Sequence, residues 1–171
     1  GGLPAVHSEH TLAGTEEVSV YQAIFSCDGG SILYVSDEAG SGDIYRRDLE
    51  SGAIARLTSG DDDFWSPAWA QGQVNIAETG SGRIVGLASK GGFDRLTVVE
   101  RDGRVRDFGD SHQGFTSLSH PAASGEHERI AVVASGGTRA SQILEFDLDS
   151  GSEGRTVRRS TTEAIPAEML S

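Results

Sequence analysis

The sequence predicts an all-β fold made of repeated four-stranded antiparallel units, a β-propeller that stops after about three blades. Three observations predict it. The 171 residues include 23 Gly and only 4 Pro, with Val, Ile, Thr and Ser in short runs, a mixture that favours many turns and short strands. A strand, an acidic-Gly turn and another strand recur in "DIYRRDLESGAIARLT" from Asp43, "DRLTVVERDGRVRDFG" from Asp94 and "SQILEFDLDSGSEGRTVRR" from Ser141. Asp48, Glu100 and Asp147 open the equivalent turns, so the register persists where identity does not.

Each element follows from its neighbours. Upstream of the three hairpins lie "SILYVSD" from Ser31, "GRIVGLAS" from Gly82 and "ERIAVVAS" from Glu128, each closing on Ser or Ser-Asp before a Gly-containing turn. Further upstream stand "VSVYQAIF" from Val18, "FWSPAWA" from Phe64 and "FTSLSHPA" from Phe115, which complete a four-strand unit in each repeat. The spacing of roughly 50 residues is that of propeller blades. A β-sandwich is the runner-up, yet nothing in a sandwich makes its turns recur in one order. The predicted organisation is an irregular leader over 1–15, blades over 16–60, 61–110 and 111–160, and an exit segment over 161–171.

Charge and composition exclude several partners. Fourteen basic against 26 acidic residues give a net charge of −12, which repels nucleic acid and an anionic membrane surface. Arg46-Arg47 and Arg158-Arg159 are too short to form a binding stripe and read as solvated strand ends. Cys27, the single cysteine, excludes an internal disulfide and a multi-cysteine metal site, and favours a reducing, cytoplasmic compartment. No apolar run nears the roughly 20 residues a spanning helix needs. The chain starts on Gly1 without a signal-type segment, and a cut end is the expectation.

With the repeat established, "SDEAGSGDIYRRDLESGAIARLT" resembles the propeller repeat of TolB-like proteins and of the amino-terminal domains of the prolyl oligopeptidase family of serine peptidases. Ser26-Cys27-Asp28-Gly29 stands at that repeat's "SPDG" turn, with Cys27 in the Pro place; Ser36-Asp37, Ile44-Tyr45, Asp48-Leu49, Gly52 and Leu57-Thr58 fit the remainder. "DDDFWSPAWAQGQ", Asp61 to Gln73, is similar to the acidic-Trp segment that opens a blade in bacterial acylaminoacyl-peptidase-like enzymes, and the tail Arg155 to Ser171 to the exit toward their α/β-hydrolase domain. The resemblance implies a hydrolase domain elsewhere that holds the catalytic Ser, Asp and His. The propeller would cap that site and admit short peptides, and its partners would be the remaining blades, the hydrolase domain and the peptide substrates. A TolB-like scaffold for protein partners is the alternative.

The chain itself offers no catalytic, cofactor or metal residues to this reading. A nucleophile elbow, Gly-x-Ser-x-Gly, does not occur. "GSGD" at Gly40, "GSGR" at Gly80 and "GSEG" at Gly151 occupy turn positions, and no helix follows "GSGR" to make a dinucleotide loop. His7, His10, His112, His120 and His127 form no helical metal pair, and "EHE" at Glu126 to Glu128 reads as a solvated turn. Asp61, Asp62 and Asp63 are adjacent rather than alternating, which suits a turn better than calcium. Glu16-Glu17 is similar to the pair that grips a peptide amino terminus in dipeptidyl-peptidases but sits beside a strand, so it receives no role. Tyr45, Phe64, Trp65 and Trp69 are expected to fill space between blades.

Three blades fall short of the typical 4 to 8 and leave apolar blade faces uncovered. Residues 1–171 expressed alone are therefore expected to aggregate or to melt without a single sharp transition. A monomer in size exclusion that unfolds cooperatively in calorimetry would overturn the incomplete ring.

Overall fold

The computed structural model describes residues 7–66, 72–108, 117–123, 127–137, 139–151 and 154–161, with only the backbone of Ser117 and His120. Three four-stranded antiparallel sheets follow one another along the chain. The first contains β1 (Val20–Phe25), β2 (Ser31–Ser36), β3 (Asp43–Asp48) and β4 (Ile54–Arg56). The second contains β5 (Ile76–Glu78), β6 (Ile84–Lys90), β7 (Phe93–Val99) and β8 (Val105–Asp107), and the third β9 (Ser117–Ala123), β10 (Arg129–Gly136), β11 (Arg139–Asp147) and β12 (Arg155–Arg159). Every sheet is a simple meander in chain order, the construction of a propeller blade.

The turns fold from local chemistry. Asp48 Oδ1 accepts the Ser51 amide and hydroxyl, each at 2.7 Å, while Gly52 takes the left-handed conformation at φ 72°. Asp147 repeats the device in the third blade, accepting the amides of Asp149 and Ser150. Asp28 accepts the Ser26 hydroxyl at 2.6 Å and the Gly30 amide at 2.9 Å, so the turn at the "SPDG" position closes with Cys27 in place of Pro.

Packing makes these sheets an arc of blades. Strand alternation sends Ile84, Gly86 and Ala88 of β6 to the first blade and Val85 and Leu87 to the third. The middle sheet is thereby buried on both faces. One core holds Leu33, Val35, Ile44, Phe64, Ile76 and Val99, and the other Leu96, Val98, Phe108, Ile130, Val132, Leu144 and Phe146. Phe108 and Phe146 meet edge to face at 5.8 Å.

One correction concerns the inner strand of the second blade. The sequence pattern places it at "FWSPAWA", but it is Ile76–Glu78, and Phe64 to Ser66 form no strand; Pro67 to Gln71, with Trp69, lie outside the described residues. Phe64 instead plugs the gap between the first two blades, 1% exposed. A Cβ added to Gly86 would stand 2.6 Å from Phe64 Cε1, so the ring occupies the space a side chain there would need. Asp63 ties the same loop to both blades, its Oδ1 accepting the Gly42 amide and its backbone pairing with Ser89.

The "Asp-Ile-Tyr … Leu-Thr" pattern is a buried latch. Asp43, fully buried, accepts the Thr58 hydroxyl at 2.9 Å and pairs with Arg56 at 2.7 Å, while Thr58 Oγ1 accepts the Ile44 amide at 2.9 Å. β4 has only three residues and would not hold to β3 by its ladder alone. In the complete polypeptide, Asp43→Ala should cost about 2–4 kcal/mol, because it orphans buried partners, and Gly86→Ala about 1–3 kcal/mol from overpacking against Phe64. Urea unfolding of each variant checks both, and an unchanged midpoint for either would remove it from the set of blade-fixing contacts.

Candidate functional site

Among the described residues, those considered for catalysis lie in turns or are exposed. Ser41 of "GSGD" donates to Asp43 Oδ2 at 3.1 Å, and Ser81 of "GSGR" lies 3.1 Å from Thr79 Oγ1, both within hairpin turns. In "GSEG", Ser152 and Glu153 lie outside the described residues, as do His112 and the side chain of His120. His7, His10 and His127 are exposed. Among the described residues, no three of His, Cys, Asp or Glu gather to hold a metal ion. Asp62 faces Lys90 at 3.7 Å, and Asp63 accepts the Trp65 amide as well as that of Gly42. Glu16 and Glu17 are exposed in the leader.

Polar chemistry concentrates instead where blades meet. Glu78, at the end of β5, accepts the Cys27 amide through Oε2 and the Arg46 guanidinium through Oε1, both at 2.6 Å. Its side chain is 5% exposed, so this first-to-second blade contact is screened from water. The Cys27 thiol, pushed up by burial and by Glu78, donates to the Glu78 carbonyl at 3.3 Å. Arg83 performs the equivalent task between the second and third blades: it reaches Glu100 at 2.9 Å, Glu128 at 3.3 Å and Asp149 at 2.6 Å. Glu100 also holds Arg106 at 2.7 Å.

These contacts correct two expectations. Arg46-Arg47 is not a solvated strand end: alternation along β3 sends Arg46 toward the second blade and Arg47 to the opposite face, where it donates to the Leu12 carbonyl. Glu128 of "EHE" is not solvated either, since Arg83 and the Thr79 hydroxyl, 3.1 Å away, bind it. Of the rest of that string, His127 is exposed and Glu126 lies outside the described residues.

Sequence reading missed the distortion of β1. Its ladder to β2 breaks between Tyr21 and Ile24, and Gln22 has φ 58°, the only non-Gly positive value among the described residues. Gln22 Oε1 accepts the Asn75 amide, and Asn75 Nδ2 donates to Ser66 Oγ at 2.5 Å. Tyr21 packs on Trp65 with ring centroids 5.1 Å apart. The bulge thus bends the first strand of one blade onto the lead-in of the next. No local signal marks it, because Gln has no preference for the left-handed region.

No protein-family model matches the sequence, and no curated protein does. Solved structures resemble it. A puromycin hydrolase is 26% identical with a TM-score of 0.76, over 90% of this chain and 23% of that one. A puromycin-hydrolyzing peptidase of Mycobacterium tuberculosis is 22% identical with a TM-score of 0.80, over 95% and 24%. A putative TolB from Agrobacterium tumefaciens is 20% identical with a TM-score of 0.64, over 86% and 51%; this likeness and that to the mycobacterial peptidase bear on fold alone. The chain spans about a quarter of the length of the first two of these proteins.

Replacing Arg83 by Met leaves three carboxylates facing one another across a blade boundary and should cost about 1–3 kcal/mol in the complete polypeptide, recovering in part at high salt. Acid adds a second, separable test. Hydrogen bonds from Ser26 to Asp28, from Ser51 to Asp48 and from the Ser150 amide to Asp147 hold these carboxyls below the usual range. A lowered folded value means their contribution is complete above about pH 4 and lost as pH falls through the folded values. Asp48→Asn with Asp147→Asn should flatten the acid limb of the stability curve by lowering stability at neutral pH while leaving low pH nearly unaffected; an unaltered acid limb would contradict it.

Proposed function

We propose that this chain is the propeller portion of a prolyl-oligopeptidase-type serine peptidase, silent in catalysis itself, which caps the active site of a hydrolase domain and filters peptides by size. The observation that carries the reading is the 26% identity with a puromycin hydrolase over nine-tenths of the chain but under a quarter of that enzyme. A segment of that share can supply blades only; the nucleophile, base and acid must come from the remainder. The blade cores agree with this role. They are apolar, closed by Phe64 and Phe108, and suited to holding a rigid wall rather than to presenting reactive groups. Cytoplasmic residence belongs to the same proposal, since Cys27 stands exposed and unpaired with any second cysteine.

A TolB-like scaffold remains the second reading, since a putative TolB shares the fold. The two differ in chemistry that can be labelled. The complete polypeptide should react with a fluorophosphonate probe at a serine outside residues 1–171 and should cleave short peptides while sparing folded proteins. Absence of labelling, together with a reading frame that encodes only further blades, would replace the peptidase by the scaffold.

A further inference from the structure

A polar cleft opens between the first two blades. Its volume is about 280 Å³, and its walls are Ser26, Asp28 and Ser31 from the first hairpin, Arg46 from β3, Glu78 from β5 and Arg101 from the β7–β8 turn. The formal charges cancel, two arginines against two carboxylates, yet their hydrogen-bonding capacity does not. Asp28 Oδ1 is spent on Ser26 Oγ and the Gly30 amide, and both oxygens of Glu78 are spent on Cys27 and Arg46. Arg46 engages one nitrogen with Glu78, while its Nε is buried and has no partner. Arg101 is exposed and makes no hydrogen bond or ion pair among the described residues.

We propose that this cleft is an oxyanion site that takes a carboxylate or phosphate group of a small ligand. A guanidinium presents its donors as a planar fork matched to two oxygens of such a group, and two forks on one cleft can share it. Of the acids that line the cleft, Glu78 is neutralised by its ion pair with Arg46, while Asp28 keeps its charge with Oδ1 turned to Ser26 and Gly30, so Arg101 supplies the cation of the cleft that no acid neutralises. In a chain of net charge −12, a pair of arginines left with unused donors on one concave surface is where an anion gains most. Arg46 Nε is buried beyond a ligand's reach, so the exposed part of its guanidinium, on a side chain 35% exposed, and Arg101 would supply the contacts. The site lies at a blade boundary, so a bound anion would bridge β3 of one blade and the β7–β8 turn of the next.

The test is independent of peptidase activity, so its failure leaves the preceding proposal standing and the converse also holds. Isothermal titration of the complete polypeptide at low ionic strength, with sodium phosphate in one arm and sodium succinate in the other, should give saturable heat in at least one arm; the stronger arm assigns the anion. Arg101→Gln removes an exposed side chain and should leave the melting temperature unchanged while weakening that binding about tenfold or more, the worth of one charge-assisted contact. Arg46→Gln should weaken it at least as much. Heat that fails to saturate in both arms, or affinities indifferent to Arg101→Gln and Arg46→Gln, would overturn the site.

Discussion

The arc depends on one steric constraint: a phenyl ring needs the space above Gly86. Phe64 fills the gap between the first two blades only because β6 has no side chain there, and a Cβ would stand 2.6 Å from the ring. Once seated, the ring fixes the loop that carries it. Phe64 donates its amide to the Gly42 carbonyl, and Asp63 pairs with Ser89, so the crossing segment is sewn to both sheets. Burial of this kind has no direction of its own; the loop hydrogen bonds convert it into a defined spacing between blades. The third blade repeats the logic with a different pair: a Cβ at Gly154 would lie 2.5 Å from Phe146, whose edge meets Phe108.

Around these apolar cores runs a band of ion pairs that cannot stabilise much individually. Arg46–Glu78 and the Arg83 cluster are partly buried, and their value lies in angular specificity as much as in energy. Each bridges blades that are adjacent in sequence, so their formation requires only local chain closure. Among the described residues, neither outward face of the arc carries such an arrangement. On the first sheet the leader supplies a substitute, where Arg47 grips the Leu12 carbonyl and a largely apolar cavity of about 290 Å³ remains beside Val20, Ile32 and Tyr34. On the third sheet Ile143 stands 38% exposed beside the Arg129–Glu145–Arg155 pairs.

How much of this was legible in the sequence follows from how local each cause is. The Asp48 and Asp147 turns were readable, because carboxylate, hydroxyl and glycine lie within five residues and act on their own backbone. Asp37, which accepts the Ser19 amide from across a hairpin, was visible only as the Ser-Asp that closes the first of three Ser-ended strands. The inner strand of the second blade was misplaced since "IAE" is too short to outweigh the aromatic run before it, and aromaticity there serves a plug rather than a ladder. Arg46 and Arg47 looked alike as neighbours in sequence; alternation gave them opposite faces and unrelated partners. The arginine cleft was illegible for the same reason, its residues being drawn from four separate segments.

The division of labour between core and rim also explains why so diverged a repeat keeps its shape. A blade needs apolar residues at alternating positions, and many side chains meet that demand, so identity there drifts without loss of packing. The turn acids and the Asp43 latch have fewer substitutes, because each satisfies particular backbone or hydroxyl donors that burial would otherwise leave unpaired. The first blade, where Ser26, Asp28, Asp43, Asp48 and Thr58 are all present, is accordingly the one whose sequence most resembles the family repeat. In the second blade Gly103 closes a shorter turn behind Glu100, and that glutamate is released from bracing a turn to join Arg83 and Arg106 at the blade boundary. Divergence from the repeat is thus, at this position, a gain of contact between blades.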